Sequence, residues 1–348
     1  MIDVSDRELA DYIVDATVLV TGAGGSLGAE LCAQLTRLGV RELVLVDQAE
    51  APLVELATEL RYEHGFTDAV PVLADIRRAA RTVKVFEEHR PDVVFHTAAY
   101  KQVPLLEAHP VEGVAANVLA TKHIVDAARG VGVERLVLFS TDKAVQPVSI
   151  LGQTKSVAEW IVAAAGREAH ARYASVRLGN VVDSAGSILP LFRRQVARGG
   201  PVTVTHPKTT RYLMTAGEAA GLAIVAGALA DSNGIFWLDM GPPERVLDLA
   251  RRLARAASRD VAIDFVGLRP GERLHEHLCW EGDEIAGTPC ERVFRSPMRH
   301  VDPAWLDAWI ATLARHVERA SAAGVRAALA EMHAVPAQIV PASAVVAR

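Results

Sequence analysis

A glycine-rich turn between two apolar segments constrains the fold of this chain more than any other feature. Thr17-Val18-Leu19-Val20 has the apolar, β-branched character of a buried strand, and Leu27 to Leu38 repeats leucine at helical spacing. Between them lies Thr21-Gly22-Ala23-Gly24-Gly25-Ser26. A strand that enters a helix through such a turn is typical of parallel α/β sheets.

The same turn predicts a phosphate site. Glycine lets the backbone approach a pyrophosphate closely, and the free N–H groups and positive dipole end of the helix attract its charge. An ordinary cofactor-free turn has the same local form, so residues further along the chain decide. Asp47 ends the next strand, where a carboxylate would bind the hydroxyls of an adenosine ribose. The expected ligand is a dinucleotide bound through Gly22, Gly25, Ser26, Leu27 and Gly28.

Asp47 also indicates which dinucleotide binds. Its carboxylate would repel a 2′-phosphate, and the following Gln48-Ala49-Glu50 offers no cation to receive one. NAD is therefore predicted rather than NADP. Asp75 follows the third strand, where it could accept a hydrogen bond from the adenine amino group or cap the next helix.

Strand-like and helix-like segments alternate through the first half of the chain. The strands are predicted at 17–20, 42–46, 70–73, 92–95 and 135–139, and one of the helices between them at 111–128. This alternation predicts a doubly wound parallel α/β sheet, a Rossmann domain over residues 1–180.

Shorter elements follow residue 180. Helices are predicted at 188–197, 218–230 and 246–257, and a strand at 202–204. They predict a smaller α/β substrate lobe over residues 181–330, which can interleave with the first domain, and a tail over residues 331–348. In doubly wound folds ligands bind at the carboxyl ends of the strands, so this lobe would close over a substrate there.

Composition disfavours several classes of function. A net charge of −5 without a long basic run gives no footprint for nucleic acid. The longest apolar stretch, Ala219 to Ala230, is well short of the roughly 20 residues of a membrane span. Three scattered cysteines and a polar N-terminus predict a cytoplasmic protein. No metal site is expected at His275-Glu276-His277, because helical residues two apart point in different directions.

Three chemically active side chains follow one another at the end of the fifth strand, in Ser140-Thr141-Asp142-Lys143, and Lys155 comes twelve residues after Lys143. Taken alone, Asp142 and Lys143 could equally be a solvated surface pair. Their position beside a nicotinamide site favours a catalytic role.

The chain as a whole resembles the nucleotide-sugar 4,6-dehydratases of polysaccharide biosynthesis, which act on UDP-N-acetylglucosamine and belong to the extended short-chain dehydrogenases/reductases. The resemblance covers roughly residues 3–280. It depends on five blocks in order: Thr21-Gly22-Ala23-Gly24-Gly25-Ser26-Leu27-Gly28, Ala98-Ala99-Tyr100-Lys101-Gln102-Val103-Pro104, Ser140-Thr141-Asp142-Lys143-Ala144, Thr209-Thr210-Arg211-Tyr212 and Leu268-Arg269-Pro270-Gly271-Glu272-Arg273-Leu274-His275-Glu276.

The resemblance implies a reaction in which NAD⁺ takes a hydride from C4 of the hexose, water is lost across C5 and C6, and the hydride returns to C6. Lys143 would be the C5 base, Asp142 the acid at the C6 oxygen, and Thr141 a hydrogen-bond partner of the C4 oxygen. Lys155 would bind the nicotinamide ribose. Further cofactor contacts are implied at Asp75, Ile76, Ala98, Ala99 and Tyr100.

The resemblance also implies substrate contacts. Arg211 and Arg269 would bind the diphosphate, because a planar guanidinium pairs with phosphate oxygens, although each could instead be a surface ion-pair partner. Glu272 would orient Arg269 or meet a ribose hydroxyl. Polar contacts with the substrate are expected from Lys101, Asn180 and Ser187.

The sequence departs from the family pattern at two informative places. Leu151 stands four residues before Lys155, where these enzymes carry a tyrosine, so the C4 hydroxyl proton must leave by another route, through Thr141 and Asp142 or a water. Ala185 replaces a usual arginine and Asp183 a usual glycine. These changes bear on the sugar or its 2-substituent more than on the fold.

Other readings stay open at this point. A 4-epimerase, a 5,6-dehydratase or a keto-sugar reductase would use the same platform. A non-catalytic NAD-sensing protein is disfavoured, because a sensor has no need of Thr141, Asp142 and Lys143 together. The expected partner is a nucleotide sugar, and the resemblance implies a homo-oligomer such as a dimer.

Overall fold

The predicted alternation of strands and helices is present in the computed structural model, which describes residues 11–169, 171–230, 233–334 and 338–340. The strands of the first half are β1 (Thr17–Thr21), β2 (Glu42–Asp47), β3 (Ala69–Leu73), β4 (Val93–His96), β5 (Arg135–Thr141) and β6 (Arg172–Leu178). The helices are α1 (Ser26–Thr36), α2 (Glu50–Tyr62), α3 (Ala79–His89), α4 (Val103–Ala108), α5 (Pro110–Val114), α6 (Ala120–Val131) and α7 (Ile150–Ala169). The five predicted strands are confirmed to within two residues at each end.

The second half has shorter strands. They are β7 (Asn180–Val181), β8 (Val202–Val204), β9 (Thr210–Arg211), β10 (Leu213–Met214), β11 (Gly234–Leu238), β12 (Glu244–Arg245), β13 (Ile263–Phe265), β14 (Ala286–Gly287), β15 (Val293–Ser296), β16 (Met298–His300) and β17 (Gln338–Val340). The helices are α8 (Ile188–Ala197), α9 (Ala216–Ala228), α10 (Val246–Ala256), α11 (Pro303–Glu318) and α12 (Ala322–Ala334).

Nine of the described strands form one sheet in the order β14-β15-β11-β6-β5-β4-β1-β2-β3. The run from β11 to β3 is parallel, and β15 pairs antiparallel with both β11 and β14. From β1 the chain adds β2 and β3 on one side of the sheet. It then adds β4, β5 and β6 on the other side of β1. Such a reversal opens a crevice at the carboxyl ends of the strands.

The sheet is buried on both faces, which explains its nearly continuous apolar strands. On one face α1 contributes Leu31 and Leu35, and α9 contributes Ala219 and Ala223. On the other face lie side chains of α3, α6 and α7, with α11 and α12 beyond them. All the strand residues of β1 and β4 are buried.

A second lobe lies within residues 181–330. Its own apolar core is formed by α8, β8, α10 and β13. By contrast, β11, β14 and β15 extend the main sheet, and α11 and α12 pack on the first domain. The two lobes therefore interleave along the chain, because the sheet gains its last parallel strand only after the chain has crossed the substrate lobe once.

One sequence expectation needs correction. The helix predicted at 111–128 is interrupted by a π-helical turn at Ala115–Leu119, between α5 and α6. Within the predicted tail, residues 331–334 complete α12, and β17 pairs antiparallel with β16. The rest of the tail lies outside the described residues. Within the described part of the chain, no helix combines the length and apolarity that a membrane span requires.

A buried ion pair fixes α7 to the sheet beneath the carboxyl end of β5. Arg177 Nε and Nη2 donate to the two carboxylate oxygens of Glu159 at 2.9 and 2.8 Å, and Ser140 Oγ donates to Glu159 Oε1 at 2.6 Å. The side chains of Arg177 and Glu159 are 3% and 2% exposed. This network keeps a charged carboxylate behind the site without leaving it unpaired.

Removing the arginine should therefore cost far more than removing a surface cation. Arg177→Met is expected to lower the free energy of unfolding by about 3–5 kcal/mol, because it leaves Glu159 charged and unpaired in the interior. Adding Glu159→Gln should recover part of this loss. The control is Arg251→Met, which removes an exposed partner of Asp248 and should cost less than about 1 kcal/mol. Urea unfolding measures all three, and equal losses for both single variants would contradict the prediction.

Candidate active site

A cavity of about 700 Å³ lies at the carboxyl ends of β1 to β6. Its wall on one side is the glycine turn after β1, with the ends of β2 to β4. The other side is formed by residues of the substrate lobe. The predicted site residues that line it are Gly22, Gly25, Ser26, Leu27, Gly28, Asp47, Asp75, Ile76, Ala98, Ala99, Tyr100, Lys101, Thr141, Lys143, Lys155, Asn180, Ser187, Arg211, Arg269 and Glu272. Asp142 is not part of this lining.

The glycine turn has the geometry of a phosphate cradle. Gly22 adopts φ +68°, and a Cβ there would lie 2.8 Å from the backbone of Ala98. A Cβ on Gly28 would lie 2.2 Å from the carbonyl oxygen of Gly22. Gly25 is the N-cap of α1 and gives the helix no side-chain cap, so the first N–H groups remain free for an anion. The turn therefore fits the pyrophosphate of a dinucleotide.

Asp47 and Asp75 lie at the ends of β2 and β3. Asp47 accepts hydrogen bonds from the backbone N–H groups of Gly24 and Ala49, which hold its carboxylate beside the glycine turn. Asp75 is not the cap of α3, as the sequence suggested, because the N-cap position is Arg78. Instead it accepts from the backbone and guanidinium of Arg77, which lowers its pKa. Both carboxylates line the cavity wall at the predicted adenosine end.

Thr141, Asp142 and Lys143 form a hydrogen-bonded group at the end of β5, where a short 3₁₀ turn begins at Asp142. Thr141 Oγ1 and Lys143 Nζ both donate to Asp142 Oδ1, each at 2.9 Å. Asp142 is fully buried, and its Oδ2 has no hydrogen-bond partner among the described residues. Asp142, the acid implied by the resemblance, thus lies directly behind the cavity wall. It holds the two side chains that do face the cavity.

Lys143 contacts two further groups. Its Nζ donates to Asn180 Oδ1 at 3.3 Å and lies 3.8 Å from Glu276 Oε1. Glu276 is buried, lines the same cavity and lies 4.0 Å from Arg211 Nη2. Burial raises the pKa of Glu276 against the opposing charges of Lys143 and Arg211. The amine thus faces a carboxyl group that burial drives towards its neutral form.

Lys155 and Leu151 extend from the first turns of α7 into the cavity wall. Lys155 is 4% exposed, and burial lowers its pKa to about 8, although Glu159 opposes this shift. Leu151 is also buried and presents no proton acceptor. His96 lies nearby at the end of β4, between the hydroxyls of Thr21 and Thr121. Burial and the charge of Lys155 lower the pKa of His96 to about 3, so it is neutral.

The two predicted diphosphate ligands differ in what their guanidinium groups already bind. Arg211 donates to the backbone carbonyls of Thr210, Arg273 and Leu274 and is 11% exposed. Arg269 is 57% exposed, and its guanidinium pairs with Glu272 through Nε and Nη2. Arg269 therefore offers the open cation at the cavity, whereas Arg211 mainly fixes the loop that carries Glu276.

The comparison with protein families decides the membership of this chain. The model described as polysaccharide biosynthesis protein matches residues 18–298. The chain belongs to this family. A capsular polysaccharide biosynthesis protein of Staphylococcus aureus, CapD, is 40% identical over 293 residues, which are 83% of this chain and 49% of CapD. A UDP-glucose 4-epimerase of Rickettsia rickettsii is 30% identical over 294 residues, 82% of this chain and 84% of that enzyme.

Solved structures agree with the fold. Pen from Bacillus thuringiensis is 28% identical, and the match covers 82% of this chain and 88% of Pen with a TM-score of 0.76. Solved nucleotide-sugar epimerases and a dehydratase share the doubly wound sheet, which is the fold of the extended short-chain dehydrogenases. This polysaccharide biosynthesis family member spans about half the length of the first curated relatives it matches.

Two residues that line the cavity, Glu276 and Arg194, were not among the predicted site residues of this family member. Glu276 ends a quoted family block, but its neighbours His275 and His277 drew attention only as metal ligands. Among the described residues, no group of three or more His, Cys, Asp or Glu side chains could hold a metal ion. Arg194 of α8 also lines the cavity. Its helical position was predicted, but no local pattern shows which helical cation faces a site.

Two polar contacts tie the site to its surroundings. Asn117, in the π-helical turn, exchanges hydrogen bonds with both the backbone N–H and the carbonyl of Tyr100. π-Helical turns often occur at functional sites, and this one contacts Tyr100 of the cavity lining. Ser187 Oγ is buried in the wall and has no hydrogen-bond partner within the described residues. Ser187 thus has unused hydrogen-bonding capacity beside the cavity.

Burial of the Lys155 amine should make the free energy of unfolding depend on pH. Below pH 8 the lysine is charged in both states, so the folded chain bears the desolvation cost. Between pH 8 and 10.5 the unfolded chain binds more protons, and the free energy of unfolding rises with pH. In nucleotide-free protein, Lys155→Met should therefore add up to about 3 kcal/mol at pH 7.

This gain should shrink as the pH rises above 8. Urea unfolding at a series of pH values compares the two proteins, with Lys84→Met, an exposed helical lysine, as the control that should show no such trend. A difference between Lys155→Met and the parent chain that stays constant with pH would contradict the assignment.

Proposed function

We propose that this protein is an NAD-dependent nucleotide-sugar 4,6-dehydratase, which converts UDP-N-acetylglucosamine or a related nucleotide hexose into a 4-keto-6-deoxy sugar nucleotide. One observation carries the proposal: Lys143 and Thr141 lie side by side on the cavity wall at the end of β5. A C5 base is needed for elimination but not for epimerisation at C4. Membership of the polysaccharide biosynthesis family supports a nucleotide sugar as the substrate.

The residues of the glycine turn fit NAD. When bound, NAD⁺ supplies the reversible removal of a hydride from C4 and its return to C6. The glycine turn and the N-terminus of α1 would hold the pyrophosphate, and Asp47 the adenosine ribose, with its carboxylate selecting against a 2′-phosphate. Lys155 would bind the nicotinamide ribose.

Thr141, Asp142 and Lys143 would act as a unit on the sugar. The hydroxyl of Thr141 would bind the C4 oxygen, and the amine of Lys143, once neutral, would take the C5 proton. Asp142 would position both through Oδ1. Because Leu151 cannot accept a proton, the C4 hydroxyl proton would leave along the hydrogen bond from Thr141 to Asp142.

A 4-epimerase is the second candidate. The relative from Rickettsia rickettsii is named a UDP-glucose 4-epimerase, and it matches most of this chain. Epimerisation leaves the C6 alcohol intact, whereas dehydration converts it to a methyl group. The two reactions are therefore separated by the product at C6. The cytoplasmic location and the homo-oligomeric state remain predictions.

The product test is turnover in heavy water. A panel of UDP-, dTDP-, CDP- and GDP-hexoses should contain one substrate that loses a single water and gains deuterium at C5 and a C6 methyl group. Lys143→Ala should lower this turnover by about 100-fold or more, the usual effect of losing a positioned base. Mass spectrometry and NMR of the products provide the measurement. A product that keeps its C6 alcohol, or unchanged turnover by Lys143→Ala, would show the proposal to be wrong.

Dinucleotide binding is tested separately by a glycine substitution. Gly28→Ala places a Cβ 2.2 Å from the carbonyl oxygen of Gly22 and 2.9 Å from Cα of Ala23, so the turn must open. NAD affinity should fall by about tenfold or more, since each tenfold corresponds to only ~1.4 kcal/mol. Gly130→Ala in α6 meets no atom within 4 Å and should bind NAD as the parent does. Calorimetric titration measures both variants, and equal affinities would contradict the cradle.

A further inference from the structure

Arg77 is a cation at the predicted adenosine end of the cavity, and the proposed function gives it no role. It lines the cavity, its side chain is 33% exposed, and it follows Asp75 by two residues. We propose that Arg77 is a positioning residue, which holds the Asp75 carboxylate as the acceptor for the amino group of adenine. This inference rests on the NAD binding included in the proposed function and is independent of the reaction at C6.

The carboxylate of Asp75 is held by the planar fork of a guanidinium group. Arg77 Nε donates to Oδ1 at 3.0 Å and Nη2 donates to Oδ2 at 2.8 Å, while Nε also lies 3.1 Å from Oδ2. The backbone N–H of Arg77 donates to Oδ1 at 3.0 Å. Two parallel N–H···O bonds fix the plane of a carboxylate, which a point charge does not. The orientation of the Asp75 carboxylate at the cavity wall is therefore restricted.

The fork leaves one carboxylate oxygen with spare acceptor capacity. A carboxylate offers about four acceptor positions. Oδ1 of Asp75 uses two of them for the backbone N–H and Nε of Arg77, whereas Oδ2 has Nη2 as its principal donor. Asp75 lines the cavity, and 27% of its side chain is exposed, so Oδ2 can accept one more hydrogen bond from a ligand. The amino group of adenine is such a donor.

The same pairing keeps the carboxyl group of Asp75 ionised. The side-chain hydrogen bonds from Arg77 lower the pKa of Asp75 more than burial raises it. An ionised carboxylate only accepts hydrogen bonds, whereas a protonated one also donates. Asp75 is thereby selective for a donor on the ligand. This favours adenine, which has an amino group at its 6-position, over hypoxanthine, which has a carbonyl oxygen there.

Two further side chains hold the guanidinium group of Arg77. Nη1 donates to Glu112 Oε2 of α5 at 3.3 Å, and Nη2 donates to Gln48 Oε1, directly after β2, at 3.5 Å. Gln48 also lines the cavity. The guanidinium therefore links α5 with the ends of β2 and β3. These contacts make Arg77 a fixed part of the cavity wall and a suitable support for Asp75.

The test compares NAD with nicotinamide hypoxanthine dinucleotide, in which a carbonyl oxygen replaces the adenine amino group. Nucleotide-free parent protein should bind NAD about tenfold more tightly or better, because the hypoxanthine dinucleotide loses the hydrogen bond and opposes two acceptors. Arg77→Met should reduce this preference to about threefold or less, because the released carboxylate no longer keeps its orientation. Calorimetric titration measures the four affinities.

Three further variants complete the comparison. Asp75→Ala should lose the preference, and adding Arg77→Met to it should change the ratio of affinities no further, because Arg77 acts through Asp75. The control is Arg81→Met, which removes a partly exposed partner of Glu88 outside the cavity lining and should keep the parent preference. Circular dichroism establishes that each variant is folded. Should Arg77→Met not fold, Arg77→Lys provides the same comparison, because it keeps the charge but lacks the fork.

The outcomes distinguish this inference from the proposed function. If Arg77→Met weakens the binding of both dinucleotides by the same factor, or leaves both affinities unchanged, Arg77 does not position Asp75 and the inference is wrong. A parent protein that binds both dinucleotides equally also overturns it. A parent protein that binds neither overturns the NAD-dependent function itself. A preference that falls in Arg77→Met and persists in Arg81→Met supports the positioning role.

Discussion

The common direction of the central strands is the constraint on which the rest of this structure depends. Because β1 to β6 are parallel, their carboxyl ends meet at one edge of the sheet. A glycine turn, two carboxylates and a Thr-Asp-Lys sequence that are far apart in the chain are thereby brought to one cavity. The reversal between β1 and β4 opens the space in which they meet. The order of the strands therefore places Thr141, Asp142 and Lys143 beside the glycine turn.

Charge burial is the second organising feature. Asp142, Glu159 and Glu276 are all buried close to the end of β5, and each has a cation nearby: Lys143, Arg177 and Lys143 again. Both carboxylate oxygens of Glu159 accept a hydrogen bond from Arg177, and this pair stabilises the fold. The group around Lys143 is looser, with contacts up to 3.8 Å and an unpaired Asp142 oxygen. Loosely paired buried charges are common at functional sites, whereas the closed Glu159–Arg177 pair is typical of a structural contact.

The substrate lobe completes the site from the opposite side. Arg211 is anchored to backbone carbonyls and fixes the loop that ends in Glu276, while Arg269 stays open to the cavity. Two family blocks thus each provide an arginine, one anchored to the backbone and one exposed at the cavity. Two arginines that look alike in sequence receive different tasks from their surroundings, because a guanidinium whose N–H groups already have acceptors has fewer to offer a phosphate.

The sequence alone determined the parallel sheet, the glycine turn, the Asp47 end of β2 and the position of the Thr-Asp-Lys sequence at the end of β5, because apolar periodicity, turn glycines and motif spacing are local properties of the chain. The tertiary structure decided what depends on contacts between distant segments. It buried Asp142, excluded Asp75 as a helix cap, interleaved the lobes and brought Glu276 to Lys143. Only packing determines which side chains in a motif reach the cavity, since burial and proximity are properties of the whole fold.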